Sequence, residues 1–133
     1  MKKSTFQPRI VLADDHPAIL ANILKLLRPH FKIVGTVENG KQLLDAAAKL
    51  QPDLIILDIA MPELDGIKAA RELLKTGTKA KIIFLTIQKD EDYIKAALAA
   101  GAHGYVLKYR MQSDLINAIN QVLKGHSFIS PIN

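Results

Sequence analysis

The chain has 133 residues, a formal net charge of +5, no cysteine and a 49% hydrophobic content. That length suits one packed core rather than two, and the apolar fraction argues against disorder. Without cysteine the chain has no disulfide, thiolate metal site or thiol nucleophile, which fits a reducing compartment.

Residues 1–8 read as a polar extension. Lys2 and Lys3 resemble the start of a signal peptide, but the apolar run after them, Ile10–Ala13, is far too short for one. Arg9–Ala13 (RIVLA) is the first expected strand. Pro17–Leu27 comes next as a helix, with Ile19, Leu20, Ile23, Leu24 and Leu27 on one face and Pro17 suited to its first position. Lys32–Thr36 is a second strand, and Leu43, Leu44, Ala47 and Leu50 mark a second helix. Asp53–Leu57 (DLIIL) is a third strand, before a helix carrying Ile67, Ala70 and Leu74. Lys81–Leu85 is a fourth strand and Ile94, Ala97 and Leu98 mark its helix. Gly104–Leu107 is a fifth strand, before a helix with Leu115, Ile119, Val122 and Leu123. Gly101 and Gly125 read as helix stops. The tail Gly125–Asn133 loses helical periodicity and reads as a loop or the start of a linker.

No stretch reaches the roughly 20 apolar residues that span a bilayer, so the chain reads as soluble, without a membrane partner. Lys and Arg are scattered, with no run and no interleaved aromatics, and read as solvated surface. Five strands of nearly continuous apolarity, each leading into an amphipathic helix, imply a doubly wound α/β fold with a parallel sheet covered on both faces.

Ligands of such sheets bind beyond the carboxyl ends of the strands. Strand 1 ends in Asp14 and Asp15, strand 3 in Asp58, strand 4 in Thr86 and strand 5 in Lys108. Three clustered carboxylates repel one another, and a hard divalent cation such as Mg²⁺ compensates them. A carboxylate is also a nucleophile toward phosphorus. Lys108 and Thr86 offer the positive charge and the donor that a phosphoryl group in transfer needs. Asp58, on the third strand, is the expected nucleophile. His16 reads as a turn or cap residue, and Asp14 and Asp15 could also serve as caps for the first helix.

Four blocks carry a resemblance: Arg9–Pro17 (RIVLADDHP), Asp53–Gly66 (DLIILDIAMPELDG), Phe84–Thr86 (FLT) and Ala100–Lys108 (AGAHGYVLK). Together, in this order and spacing, they resemble the receiver domain of bacterial two-component response regulators, over about residues 9–125. The resemblance implies the flavodoxin-like (βα)5 fold with strand order 2-1-3-4-5. It implies Asp58 as the phosphorylated residue, Asp15 as a direct Mg²⁺ ligand, Asp14 acting largely through water, and the backbone carbonyl of Ala60 as a further metal ligand. Thr86 matches the hydroxyl that moves toward the phosphoryl group, Lys108 the lysine that pairs with it, and Tyr105 the aromatic that changes rotamer with Thr86 as a switch.

The resemblance further implies a sensor histidine kinase as phosphodonor, a cytoplasmic location, readout through the face of helix 4, strand 5 and helix 5, and room for a homodimer. The domain is not an enzyme in the ordinary sense, because it promotes only its own phosphorylation and dephosphorylation. The DDHP, ELDG and GHSFISP stretches most resemble the subfamily with a LuxR-type helix-turn-helix output domain. On that reading residues 126–133 begin a linker, the chain is an excised receiver, and DNA is reached only through a domain it does not contain.

Two positions depart from common receivers. Tyr109 stands where many carry a proline, so a cis bond after Lys108 is not expected. Ala60, two residues after Asp58, cannot hold an attacking water through its side chain, and with Gln88 it sets an expected difference in phosphoryl lifetime. Two competing readings stay open. A Mg²⁺-dependent aspartyl-phosphate hydrolase of the haloacid-dehalogenase type would place a second acid where Ala60 stands. A stand-alone receiver would act only through protein–protein contacts.

Overall fold

The computed structural model describes residues 7–131. Most of the expected N-terminal extension and the last two residues of the tail lie outside the described residues. The elements, in order, are β1 (Arg9–Ala13), α1 (Pro17–Leu27), β2 (Lys32–Val37), α2 (Gly40–Leu50), β3 (Leu54–Leu57) and α3 (Gly66–Lys75). Then come β4 (Lys81–Thr86), α4 (Glu91–Ala99), β5 (Gly104–Leu107), a 3₁₀ turn (Lys108–Arg110), α5 (Met111–Leu123) and β6 (Phe128–Ile129).

The strands form one parallel sheet in the order β2-β1-β3-β4-β5-β6. The flavodoxin-like order is present, with a sixth strand added at its edge. Alternate residues of each strand face opposite layers, because the side-chain period of a strand is 2. Val11, Ala13, Ile55, Leu57, Ile82, Phe84, Tyr105 and Leu107 pack with α2, α3 and α4 through Leu43, Ala69, Leu73 and Ala97. Ile10, Leu12, Leu54, Ile56, Ile83, Leu85 and Val106 pack with α1 and α5 through Ile23, Leu27, Leu115 and Ile119. This two-faced burial explains why the strands read as unbroken apolar runs. Each fully buried Leu, Ile or Val contributes roughly 1.5–3 kcal/mol relative to exposure, so the central strands are the rigid support for whatever sits at their ends.

Local chemistry sets the helix starts. Asn39 Oδ1 accepts from Gln42 N at 2.8 Å and Asp65 Oδ1 from Lys68 N at 2.9 Å, while Asp90 Oδ1 accepts from Asp92 N at 2.9 Å. Gly101 and Gly125 end α4 and α5 with φ of 99° and 93°, a region that favours glycine. Among the described residues no helix is long and apolar enough to cross a membrane.

The expectation of a loop or linker from residue 126 is corrected in part. Phe128 and Ile129 pair in parallel with Gly104 and Tyr105 of β5. Two residues are too few to show alternation. The strand is held by Ser130, the next residue along the chain. Ser130 N donates to Tyr105 O at 2.8 Å, and Leu107 N donates to Ser130 Oγ at 3.2 Å.

Candidate functional site

The carboxyl ends of β1, β3, β4 and β5 meet at one rim. Two backbone bonds extend the ladder past the strands and fix the acids there: Asp14 N donates to Val37 O and Asp58 N to Ala13 O, each at 3.0 Å. The loop after Asp58 folds back tightly. Gly66 N donates to Ile59 O at 2.8 Å, and a Cβ at position 66 would stand 1.9 Å from the Asp58 carbonyl oxygen. The absent side chain at Gly66 is therefore what lets α3 start directly behind Asp58.

His16 occupies the N-cap position of α1 and makes no side-chain cap. Asp14 instead closes a small turn, with Oδ1 accepting from His16 N at 2.8 Å. The His16 ring nitrogen Nδ1 lies 3.0 Å from the same oxygen.

Charge organises the centre. Lys108 Nζ lies 2.8 Å from Asp58 Oδ2 and 2.8 Å from Asp14 Oδ2. All three groups are buried, with Asp14 and Asp58 only 2% and 4% exposed. Burial pushes the Lys108 ammonium toward losing its proton, but the bonds to Asp14 and Asp58 outweigh that and raise its pKa above the ordinary value. It therefore stays charged and compensates part of the acidic cluster. Asp58 Oδ1 accepts from Ile59 N at 2.7 Å.

Asp15 completes the cluster differently. Its Oδ1 is buried and has no hydrogen-bond partner. His16 Nδ1 is 3.1 Å away, but its hydrogen bond goes to Asp14, so the approach to Asp15 is only a charge contact when the ring is protonated. One ligand atom each from Asp14, Asp15, His16 and Asp58 can be chosen within 4.8 Å of one another. Three carboxylates face one ammonium, and the balance stays negative even with His16 charged. An orphaned buried oxygen beside surplus negative charge, in a set dominated by oxygen donors, fits a hard divalent cation.

The remaining residues lie beside this centre. Thr86 ends β4, is fully buried, and its Oγ1 accepts from Gln88 N at 3.3 Å. Tyr105 is also fully buried on β5, with its ring 6.4 Å from that of Phe84. Its hydroxyl donates to Gln88 O at 2.6 Å. Burial first, then the Asp58 carboxylate, push the Tyr105 phenol far above its ordinary pKa, so it remains a neutral donor. Tyr93 and Tyr109, by contrast, are 39% and 63% exposed. Ala60 lines a groove of about 420 Å³ between α3 and α4, together with Gln88, Tyr93 and Lys68.

The structure thus joins Asp14, Asp58 and Lys108 directly and sets Asp15 against them. Thr86 and Tyr105 meet through the backbone of Gln88. No peptide bond among the described residues is cis, including the one after Lys108. Sequence reasoning missed the contact of Gly66 with Asp58 and the role of Gln88 as the common partner of Thr86 and Tyr105. The glycine in ELDG is a visible signal for the first, whereas a backbone partner leaves none.

Comparison with known proteins identifies the family. The family model described as "Response regulator receiver domain" matches residues 10–120. The chain is 34% identical to the transcriptional regulatory protein DegU of Brevibacillus brevis, over 92% of this chain and 53% of that protein. It is 33% identical to the nitrate/nitrite response regulator protein NarL of Escherichia coli, over 91% of this chain and 57% of that protein. It therefore spans little more than half the length of these relatives. Among solved structures, it superposes with a TM-score of 0.89 on a LuxR-family two-component response regulator from Aurantimonas sp. SI85-9A1. That match is 29% identical and covers 95% of this chain and 91% of the other.

Proposed function

The chain belongs to the response regulator receiver domain family, and on that premise we infer that Asp58 accepts a phosphoryl group from a sensor histidine kinase. The observation that carries this is the Lys108 ammonium held 2.8 Å from both Asp58 and Asp14, beside the unpartnered Asp15 oxygen. That arrangement holds Asp58 oriented and next to a cation.

In the transfer, a carboxylate oxygen of Asp58 forms a P–O bond as the P–N bond to the donor imidazole breaks. The electron pair of the broken bond leaves with that imidazole, which ends neutral because the donor ring is protonated on its other nitrogen before transfer. Lys108 is placed to pair with the added phosphoryl oxygens, having no need to change its own charge. Asp14, Asp15, Asp58 and the Ala60 carbonyl would hold Mg²⁺, which when bound supplies positive charge at the phosphoryl oxygens. The Thr86 hydroxyl is the nearby neutral donor on β4. Its link through Gln88 to the Tyr105 hydroxyl gives the site a route to the α4–β5 surface. The domain switches rather than turns over substrate. A relative is described as a transcriptional regulatory protein, and the readout proposed for this domain is control of a DNA-binding output domain, in the cytoplasm.

Incubation with Mg²⁺ and acetyl phosphate tests this, read by intact mass. One phosphoryl group per chain is expected, and none on Asp58→Asn. An adduct that survives Asp58→Asn, or a native chain that takes none, refutes the assignment.

A further inference from the structure

A second buried polar cluster lies on the outer edge of β5, away from the acidic rim. Asp114 of α5 is 7% exposed and Ser130 is 2% exposed. Asp114 Oδ2 accepts from Arg110 Nε at 2.8 Å and from Ser130 Oγ at 2.7 Å, while Oδ1 accepts from Ser113 Oγ at 3.0 Å. Burial pushes the Asp114 carboxyl up, yet the bonds from Arg110, Ser130 and Ser113 outweigh it and hold the group below the ordinary carboxylate value. A charge placed this deep is costly unless its partners are all present.

These partners are not arbitrary. Ser130 grips β5 at two points, donating from its backbone to Tyr105 O and accepting Leu107 N on its hydroxyl. Arg110 closes the 3₁₀ turn that Lys108 opens. That short turn thus has a charged anchor at each end, Lys108 on Asp14 and Asp58, and Arg110 on Asp114. Tyr109 between them is 63% exposed, so its own side chain adds little packing, and the turn is held by its buried neighbours Leu107 and Met111 together with these two charged anchors.

We propose that Arg110, Asp114 and Ser130 are positioning residues for Lys108. By docking residues 128–130 on β5 they hold the turn that aims the Lys108 ammonium at Asp58. The affinity of the site for a phosphoryl-like group then depends on the docked tail. By linkage, filling the site must tighten the docking by the same factor. This rests on the phosphoacceptor reading above.

The test uses beryllofluoride with Mg²⁺ as the phosphoryl mimic. On the unmodified chain, amide hydrogen exchange is measured at Ile59 and Thr86, which report the site, and at Phe128 and Ser130, whose N–H groups donate to β5 and its preceding loop. About fivefold slower exchange at Phe128 and Ser130 is expected when the mimic binds, the low end of coupling between sites. Ser130→Ala, with β1 and β3 amides still protected, is expected to bind beryllofluoride about fivefold more weakly. Changes at Ile59 and Thr86 with none at Phe128 and Ser130 overturn the proposal and leave the phosphoacceptor reading standing. A folded Ser130→Ala chain with a released tail and unaltered affinity overturns it as well. No change at Ile59 or Thr86 removes both readings. If Ser130→Ala does not fold, the exchange measurement on the unmodified chain decides alone.

Discussion

Replacing Gly66 by alanine adds a single methyl group, and its cost can be worked from the backbone. The new Cβ would meet Asp58 O at 1.9 Å, Asp58 C at 2.9 Å and Ile59 Cα at 3.0 Å. Ordinary contact begins at 3.4 Å, so about 1.5 Å must be found against the first atom. All three neighbours are main chain, which cannot rotate away as a flexible side chain would. Overpacking of this kind costs about 1–3 kcal/mol, and the helix preference of alanine over glycine returns at most about 1 kcal/mol. At about 4 °C per kcal/mol for a chain of this size, the melting temperature should fall by several degrees. The larger effect should be functional, because the displaced atoms belong to Asp58 and its neighbour. A 1 Å misplacement of a reacting group can cost about 100-fold in rate. Gly66→Ala should therefore melt lower in a thermal scan and take up phosphate from acetyl phosphate with Mg²⁺ about 100-fold more slowly. A variant with native melting and native phosphorylation would show that α3 does not fix Asp58 in the way described.

Other perturbations probe the same geometry. Lys108→Met leaves two buried carboxylates without their shared cation and should cost about 3–5 kcal/mol. Added Mg²⁺ should then raise the melting temperature of the variant more than that of the native chain, and equal gains would argue against Lys108 as the counterion. Tyr105→Phe removes the hydroxyl that serves the Gln88 carbonyl and should cost about 1–2 kcal/mol, seen as faster amide exchange at Gln88. Unchanged exchange there would remove Tyr105 from the link to Thr86. His103 is held below its ordinary pKa of 6.5, by burial first and then by Lys81, and its Nδ1 accepts Ile82 N at 3.2 Å. The unfolded chain thus binds a proton more readily than the folded one. The contribution of His103 is complete above about 6.5 and is lost as pH falls through that value toward the folded pKa. His103→Asn, which keeps an acceptor near Ile82 N, should flatten the fall in urea stability between about pH 7 and pH 5, and an unaltered slope would refute this.

What could be read in the sequence depended on how far each signal extends along the chain. β1, β3, β4 and β5 announce themselves because burial on both faces makes each of them continuously apolar, and α1 runs from Pro17 to Leu27 as its periodicity predicts. The rim residues were legible because a parallel sheet directs every strand end to the same side. The bridging of Asp14 and Asp58 by one ammonium was not legible, since it depends on the rotamer of Lys108 and not on spacing. β6 was lost for a different reason. Its two residues carry no period, and its docking depends on Ser130 and Asp114, polar residues that pattern reading assigns to the surface although both are buried.

The chain has three tyrosines and no tryptophan, and only Tyr105 is sealed from water while Tyr93 and Tyr109 meet it. Its ultraviolet emission therefore divides into one protected and two accessible fluorophores, with no indole to mask either. A water-soluble quencher such as iodide reaches the outer pair and spares the inner ring. The domain carries its own optical gauge of whether that ring is in or out, and it can be read without attaching a label.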